Sequence, residues 1–268
     1  KNERMVYLTL MKLIKRLIHL LKNNIKVFIF IYFKNTNYKV DKLSSKKIVI
    51  HHHLGLGDII ICNGLVNYLS NQFEKIILPI HENYYEQVCY LYSENPKIEI
   101  IRIQNQSEIY NRFKNDQILR VGFEKNSGKF NTSFYRQLNI PYSVSYDFFH
   151  VPRNNKKETE LMNHLMKSYK IEKNYRLVHR SSSYGQVDLD LDDRLPTIYI
   201  EKDTDIFNNI FFYIKLIEGA DEIHCIDSSI LHLVERVPSE SSLFFHPVKK
   251  DGQMTEKLEL YRDWNITI

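Results

Sequence analysis

Short runs of apolar, β-branched residues alternate along the chain with longer stretches whose apolar residues recur at helical spacing. Residues 48–50 form a run too short for a typical helix and predict a buried strand, and the runs KIILPI, IEIIRI and ILRVGF predict three more. The intervening residues predict a helix that begins near Asp58 and another that closes before Pro96. This alternation is typical of a parallel sheet with helices on its faces.

The second half of the chain repeats the pattern. RLVH, TIYIEK, EIHCI and SSLFFHP predict strands, and residues 205–220 predict a helix. The polar stretch 151–160 precedes a helix over 161–170, so we place the linker there. The predicted organisation is a segment 1–46, a first Rossmann-like domain over 47–152 and a second over 153–268.

Two glycines mark the turn after the first strand, in KKIVIHHHLGLGDIII. Gly55 and Gly57 permit a positive φ or a close approach to a ligand, and the helix after them directs free N–H groups into the same space. Asp58 is thereby held on a rigid element at the carboxyl end of a strand, where ligands bind in open α/β sheets. The alternative is that Asp58 is only a helix N-cap.

A second turn of this kind lies near the other end of the chain, in IEGADEIHCIDSSILHLVERV. The pattern predicts a helix end, a short strand, an Asp-Ser-Ser turn and a new helix. Asp227 or Ser228 is the predicted N-cap, and His232 falls one turn inside the helix. His232 is a candidate phosphate ligand when protonated; the alternative is a structural histidine.

Together, GLGD with its helix and ADEIHCIDSSILHLVERV resemble the family 9 glycosyltransferases, which include the bacterial heptosyltransferases. The two halves of that family carry a GD turn and a D-[ST]-[GS]-x-x-H-L segment. The resemblance covers about a quarter of the chain. It implies an α/β fold of two Rossmann-like domains facing a cleft, called GT-B. It also implies that the residues around Trp264 pack back on the first domain, as C-terminal segments of GT-B proteins often do.

The resemblance also implies roles for individual residues. Asp58 maps onto the proposed general base, and the flanking Gly55 and Gly57 would let the acceptor approach. His53, just before them, is assigned to the same acceptor-side loop. Asp227, Ser228, Ser229 and His232 map onto the segment that holds the nucleotide-sugar donor. Inversion at the anomeric carbon without a metal or other cofactor is implied too, with the nucleotide-sugar as co-substrate and a glycan or lipid-linked molecule as acceptor.

The loop after the RLVH strand adds candidate donor-binding residues from its own chemistry. His179, Arg180, Ser181 and Ser182 form a run of hydrogen-bond donors suited to a phosphate. The alternative is a solvated polar loop.

The sequence departs from the family pattern at two points. HRSSSYGQVDLDLDDRLP is short and acidic and has no lysine, so Arg180 or Arg194 would have to substitute. Ser229 also stands where the family usually has glycine. The resemblance therefore does not indicate which sugar the donor carries.

Cysteine and histidine give no metal pattern. Cys62, Cys89 and Cys225 are scattered, odd in number and without paired spacing, which favours a reducing, cytoplasmic location. Cys62 and Cys225 are expected to be core residues. The three histidines 51–53 alternate faces at a strand end and cannot all bind one metal, so one of them is expected to line the cleft. His224 is expected to be structural.

Charge is unevenly distributed along the chain. The formal net charge is +5, yet residues 1–47 carry 12 Lys or Arg and 2 acids, whereas the remaining residues carry 25 and 30. Apolar residues from Leu10 to Leu21 recur on one helical face, with lysine and arginine on the rest. This pattern predicts a basic amphipathic N-terminal helix in which residues 5–33 lie on an anionic membrane surface.

There are three alternatives to membrane contact. The helix can pack on the protein body with its basic side chains extended into water, or it can be a secretory signal, although no small-residue cleavage site follows. A nucleic-acid partner is disfavoured because no recognisable binding module is present.

The leading functional hypothesis is therefore an inverting glycosyltransferase at the cytoplasmic side, with peripheral membrane contact. A non-catalytic nucleotide- or glycan-binding module of the same ancestry is a second hypothesis, favoured by the short second domain. A third is another Rossmann-like enzyme, such as a nucleotide-sugar epimerase.

Overall fold

A computed structural model describes residues 21–22, 36–37, 39–52, 55–123, 129–183, 185–248 and 258–267. Two five-stranded sheets, each with all its strands parallel, carry the helices and confirm the predicted α/β class with two Rossmann-like halves. The first sheet uses strands between residues 36 and 120, and the second uses strands between 176 and 266.

The first sheet has the strand order β1-β5-β2-β3-β4. Its central strand β2 contributes Ile48, Val49 and Ile50, all fully buried, as expected for a strand covered on both faces. β1 lies inside the segment assigned to 1–46, yet it pairs with β5. The strands are β1 (Thr36–Asn37), β2 (Lys47–His51), β3 (Lys75–His81), β4 (Ile98–Ile103) and β5 (Ile118–Arg120).

Five helices accompany this sheet in the described part of the first half. They are α1 (Leu56–Ser70), α2 (Tyr85–Leu91), α3 (Gln106–Arg112), α4 (Phe130–Arg136) and α5 (Val144–Asp147); short 3₁₀ helices cover Val40–Lys42 and Glu82–Tyr84. The N-cap of α1 is Gly55, so the interpretation of Asp58 as an N-cap is wrong. Eleven of the 15 residues of α1 are buried, which makes it an internal helix that holds Asp58 rigidly.

The second sheet has the strand order β12-β11-β10-β6-β9. The elements of this half are α6 (Asn155–Ser168), β6 (Arg176–His179), the hairpin of β7 (Ser181–Ser182) and β8 (Gly185–Gln186), β9 (Thr197–Tyr199), α7 (Ile214–Gly219), β10 (Glu222–Ile226), α8 (Ser229–Val234), β11 (Ser242–His246) and β12 (Trp264–Ile266). Two 3₁₀ helices, Lys202–Thr204 and Ile210–Tyr213, lie between β9 and α7.

Two helices have ends that differ from the predicted ones. α6 begins at Asn155, inside the predicted linker, because the Asn154 side chain caps the Lys157 N–H at 3.1 Å and the buried Glu158 binds Arg153. The helix predicted over 205–220 is shorter, because residues 210–213 are 3₁₀ and the α-helix covers only α7.

The C-terminal residues meet both halves. Trp264 lies in β12 and pairs with β11, so the expectation that it packs on the first domain is wrong for Trp264 itself. Residues just before it do reach the first half: the Glu259 backbone exchanges hydrogen bonds with Asn131, and the ring of Tyr261 stacks on Tyr146 at 4.8 Å. This segment therefore ties the first half to the second.

The predicted N-terminal helix lies outside the described residues, apart from Leu21 and Lys22, which are helical. Within the described ranges, no helix combines the length and the apolar character needed to cross a membrane.

The two halves are packed directly against each other. α1 contacts α5 and α8, and Gly64 of α1 lies so close to the Val144 carbonyl oxygen that a side chain has no room. Arg236, just after α8, donates hydrogen bonds to Ser145 and Tyr142. These contacts set the distance between the helix that carries Asp58 and the helix that carries His232.

Candidate functional site

A cleft of about 470 Å³ lies at the carboxyl ends of strands from both sheets. It brings together the two turns that the sequence singled out, although they are more than 160 residues apart. The first half contributes Gly55, Leu56, Gly57, Asp58, Tyr84 and Phe130, and the second contributes His179, Ser181, Ser182, Ser183, Asp227, Ser228, Ser229 and His232.

Asp58 occupies the first turn of α1 and lines the cleft. Burial of its carboxyl group raises the pKa from 3.8 to about 7, against the effect of a hydrogen bond donated by the Gly55 backbone. The negative charge of Asp227 raises this pKa further. Asp58 is therefore poised to accept a proton near neutral pH, which is what a general base requires.

Gly57 has no side chain, and this allows α1 of the first half to lie close to α8 of the second. A Cβ atom built on Gly57 would lie 3.2 Å from Cδ2 of His232 and 3.7 Å from the Ser229 Cα. The glycine predicted to allow close approach to a ligand thus also allows close approach of α8.

Ser228 organises the second turn. It is the N-cap of α8, as predicted, and its hydroxyl oxygen lies 2.8 Å from Nδ1 of His179 at the end of β6. Asp227 precedes it, with one carboxylate oxygen 3.8 Å from Nε2 of His232. The end of β6 and the turn after β10 are therefore joined into one wall.

The two histidines of this wall are neutral at physiological pH. Burial lowers the pKa of His179 to about 4, and burial together with the positive charge of Arg236 lowers the pKa of His232 to about 3. The expectation that protonated His232 binds a phosphate is thus not supported by its surroundings. Neutral imidazoles can still donate or accept one hydrogen bond each.

Arg180 does not line the cleft. Its guanidinium group lies 4.4 Å from the centre of the Tyr199 ring and 3.4 Å from carboxylate oxygens of Asp188 and Glu201. Arg194, the other proposed substitute for the lysine, binds Asp192. Among the described residues that line the cleft, none is lysine or arginine.

The structure describes two of the three histidines at the end of β2. His51 and His52 are buried, and Nδ1 of His51 lies 2.8 Å from the Tyr110 hydroxyl oxygen. Neither is among the cleft-lining residues, and His53 lies outside the described residues. Over the described ranges, no group of three potential metal ligands is close enough to hold an ion.

The remaining residues with a predicted structural role behave as expected. Cys62 and Cys225 are fully buried and free. His224 packs its ring on Phe244 at 4.4 Å, and its Nδ1 lies 3.0 Å from Nε2 of His246.

A second cavity of about 380 Å³ adjoins the cleft and shares His179 and Ser181 with it. Its wall follows β9 and includes Glu201, Lys202 and the buried Tyr213. The cavity therefore lies beside the cleft at the carboxyl end of β6, and Gln87 of the first half also lines it.

The predicted site did not include four of the residues that line the cleft, one of which, Leu56, stands between the two glycines of the first turn. Tyr84 follows β3 at the same sheet edge as Asp58, and this topological position was an available signal. Phe130 begins α4, and Ser183 extends the predicted serine run by one. No local motif marks Phe130.

Comparison with known proteins gives structural similarities only. No protein-family model matches the sequence, and no curated protein matches it significantly. The chain is similar to the E. coli ADP-heptose lps heptosyltransferase II, with 10% identity, a TM-score of 0.47, and coverage of 82% of this chain and 90% of that one. It is similar to a glycosyl transferase family 9 structure from Veillonella parvula DSM 2008, with 10% identity, a TM-score of 0.49, and coverage of 78% and 82%. Both of those proteins are glycosyltransferases.

Proposed function

We propose that the protein transfers a glycosyl group from a nucleotide-sugar donor to a hydroxyl group of a glycan or lipid-linked acceptor. The observation that carries this proposal is Asp58, a carboxyl group with a pKa of about 7 in a cleft whose opposite wall presents serine hydroxyls and neutral imidazoles. A base of this pKa matches the removal of a proton from an attacking hydroxyl.

In the proposed reaction, the Asp58 carboxylate takes the proton of the acceptor hydroxyl. The acceptor oxygen then forms a bond to the anomeric carbon from the face opposite the leaving group. The bond between that carbon and the phosphate oxygen breaks, and its electron pair leaves with the nucleoside diphosphate. Inversion at the anomeric carbon follows from attack on the opposite face.

The second wall is proposed to hold the donor. Ser181, Ser182, Ser228 and Ser229 present hydroxyl donors for phosphate oxygens, and the hydrogen bond between Ser228 and His179 orients one of them. Hydroxyl donors without a metal or another cofactor are proposed to suffice, with residues of the adjoining cavity holding the nucleoside.

A direct test measures donor binding and transfer separately. Thermal stability against nucleoside diphosphates and nucleotide sugars reports binding, since a ligand at about 100 times its Kd adds roughly 2.7 kcal/mol. Release of nucleoside diphosphate with an acceptor panel reports transfer. Asp58→Asn is expected to bind the donor and lose transfer. Asp188→Asn, the same change at a side chain that is 98% exposed, is the matched control.

The non-catalytic binding module stands as a second candidate function. It is favoured by the position of Arg180, which turns toward Tyr199 and Glu201, so that no described arginine or lysine faces a diphosphate in the cleft. Selective stabilisation by a nucleotide with no transfer and no donor hydrolysis supports this candidate. Turnover that depends on Asp58 excludes it.

We also propose that the protein works in the cytoplasm and that residues 5–33 bind an anionic membrane surface. The support is the concentration of 12 Lys or Arg in residues 1–47 and the free state of all three cysteines. Sedimentation with anionic vesicles is expected for the full chain and not for a truncation that begins at residue 36. Equal sedimentation of the full chain and the truncation would contradict the proposed membrane contact.

A further inference from the structure

The two walls of the cleft differ in chemistry. The second half presents five serines and two imidazoles beside Asp227. The first half presents two aromatic rings, Tyr84 and Phe130, with Leu56 and the Asp58 carboxyl group. A diphosphate is matched by hydroxyl donors, whereas an aromatic wall around one carboxyl group matches a neutral ligand with an apolar face and a hydroxyl group.

Both rings are held in place from behind. The Phe130 ring packs edge-on against Phe134 at 5.3 Å, and Phe134 is fully buried. Tyr84 ends the 3₁₀ helix Glu82–Tyr84, which is capped by His81 and packs on the core. Each ring is half-buried, so one part of it is anchored while another part contributes to the cleft. Anchored rings lose little conformational entropy when they bind a ligand.

We propose that Tyr84 and Phe130 form the acceptor subsite and that it binds a pyranose ring. The face of a pyranose that carries axial C–H groups is apolar and packs on an aromatic ring, while the hydroxyl groups at its edge remain free for hydrogen bonds. A ring seated on this wall presents an edge hydroxyl to Asp58. This inference rests on the proposed function for the role of the bound sugar, but the binding itself requires no donor.

The first experiment measures binding of simple sugars to the full chain by saturation-transfer NMR. The probes are the methyl α- and β-pyranosides of glucose, galactose, mannose and N-acetylglucosamine. Transfer to the axial ring protons of at least one probe is expected. Tyr84→Leu and Phe130→Leu keep apolar volume but remove the ring, and each is expected to weaken binding about five- to tenfold.

Tyr85→Leu is the matched control. Tyr85 is the next residue, is also half-buried, and has its ring under the Arg102 guanidinium group at 4.3 Å, outside the cleft. Binding in this variant is expected to equal that of the unaltered protein. A comparable loss in Tyr85→Leu, or no transfer to any of the eight probes, would overturn the acceptor subsite. Binding of an alkyl phosphate in place of every pyranoside would also overturn it.

A second readout separates this inference from the proposed function. Nucleotide-induced thermal stabilisation is expected to be unchanged in Tyr84→Leu and Phe130→Leu, because both residues lie on the wall opposite the donor. In a transfer assay, both variants are expected to raise the KM for the acceptor and leave the KM for the donor unchanged. Pyranoside binding without any nucleotide binding would retain the subsite and reject glycosyl transfer.

Discussion

Gly57 of α1 lies against His232 of α8, and a Cβ atom at Gly57 would stand 3.2 Å from the imidazole ring. This contact joins the two turns on which the function depends. Asp58 follows Gly57 directly, and a carboxylate oxygen of Asp227 lies 3.8 Å from Nε2 of the same imidazole, so a small shift of α8 changes the surroundings of both carboxyl groups.

Close packing around α1 predicts that alanine substitutions at two of its glycines destabilise the protein by different amounts. Gly64→Ala would place its methyl group against the Val144 carbonyl and Ser145 Cα, which are backbone atoms of α5, so we expect a loss of about 1–3 kcal/mol in the free energy of unfolding. Gly57→Ala meets the side chain of His232, which can shift, and is expected to cost less. Urea unfolding of the two variants measures the difference. Equal midpoints would contradict the packing of α1 on α5.

The raised pKa of Asp58 predicts a pH dependence of stability. The pKa of the Asp58 carboxyl group is about 7 in the folded protein, whereas its ordinary value is 3.8. The folded state therefore binds the proton more tightly than the unfolded chain does. The stability that comes from this proton is present below about pH 4 and is lost as the pH rises to about 7. Asp58→Asn removes this dependence and is expected to be more stable than the unaltered protein by roughly a few kcal/mol at pH 8.

Measurement of unfolding at pH 4, 6 and 8 tests the sign of this effect. The stability difference between Asp58→Asn and the unaltered protein should grow with pH. A constant difference would mean that the carboxyl group is not buried in the folded protein. In a transfer assay, the rate of the unaltered protein should rise with pH through about 7, because only the ionised carboxylate accepts a proton.

Ser228→Ala is expected to lower the free energy of unfolding by about 1 kcal/mol, because it removes the N-cap of α8 and the hydrogen bond to His179. Ser229→Ala is the matched control, since Ser229 is the first helical residue and does not cap α8. Chemical unfolding of both variants gives the comparison. Equal losses would show that the cap does not stabilise the turn.

The contacts of Glu235 predict that its replacement changes the fluorescence of Trp264, the single tryptophan. Its buried carboxylate accepts hydrogen bonds from Nε1 of Trp264 at 2.6 Å, from the Tyr146 hydroxyl and from the Tyr261 backbone. Glu235→Ala leaves these donors without an acceptor, so we expect a loss of about 3 kcal/mol and a shift of the tryptophan emission to longer wavelength. The exposed Glu160→Gln is the control. Unchanged emission in Glu235→Ala would contradict the position of the C-terminal segment.

Much of the fold was predictable because the determining signals are local. The β-branched runs at Ile48 and Ile76 became buried parallel strands, and Ser228 became the N-cap that its place before an apolar run indicates. Helix starts were less accurate. α1 begins two residues before Asp58, because a glycine with extended backbone serves as its N-cap and carries no side-chain signal.

The candidate site was predictable only in part, for a related reason. The two turns were identified by their motifs, and the structure places both in one cleft. Arg180 was selected for its chemistry, but the nearby Tyr199, Asp188 and Glu201 hold its guanidinium group elsewhere. The sequence around Arg180 does not show that these side chains bind its guanidinium group in place of a ligand.

The sequence by itself determined the alternation of strands and helices, the two strand-turn-helix segments and the presence of a carboxylate in the first of them. These depend on residues within one or two turns of each other. Only the tertiary structure decided that Asp58 is partly buried near Asp227, that this burial raises its pKa to about 7, and that Tyr84 and Phe130 line the same cleft. Desolvation and close packing arise between segments far apart in the chain, and they depend on how the two sheets are brought together.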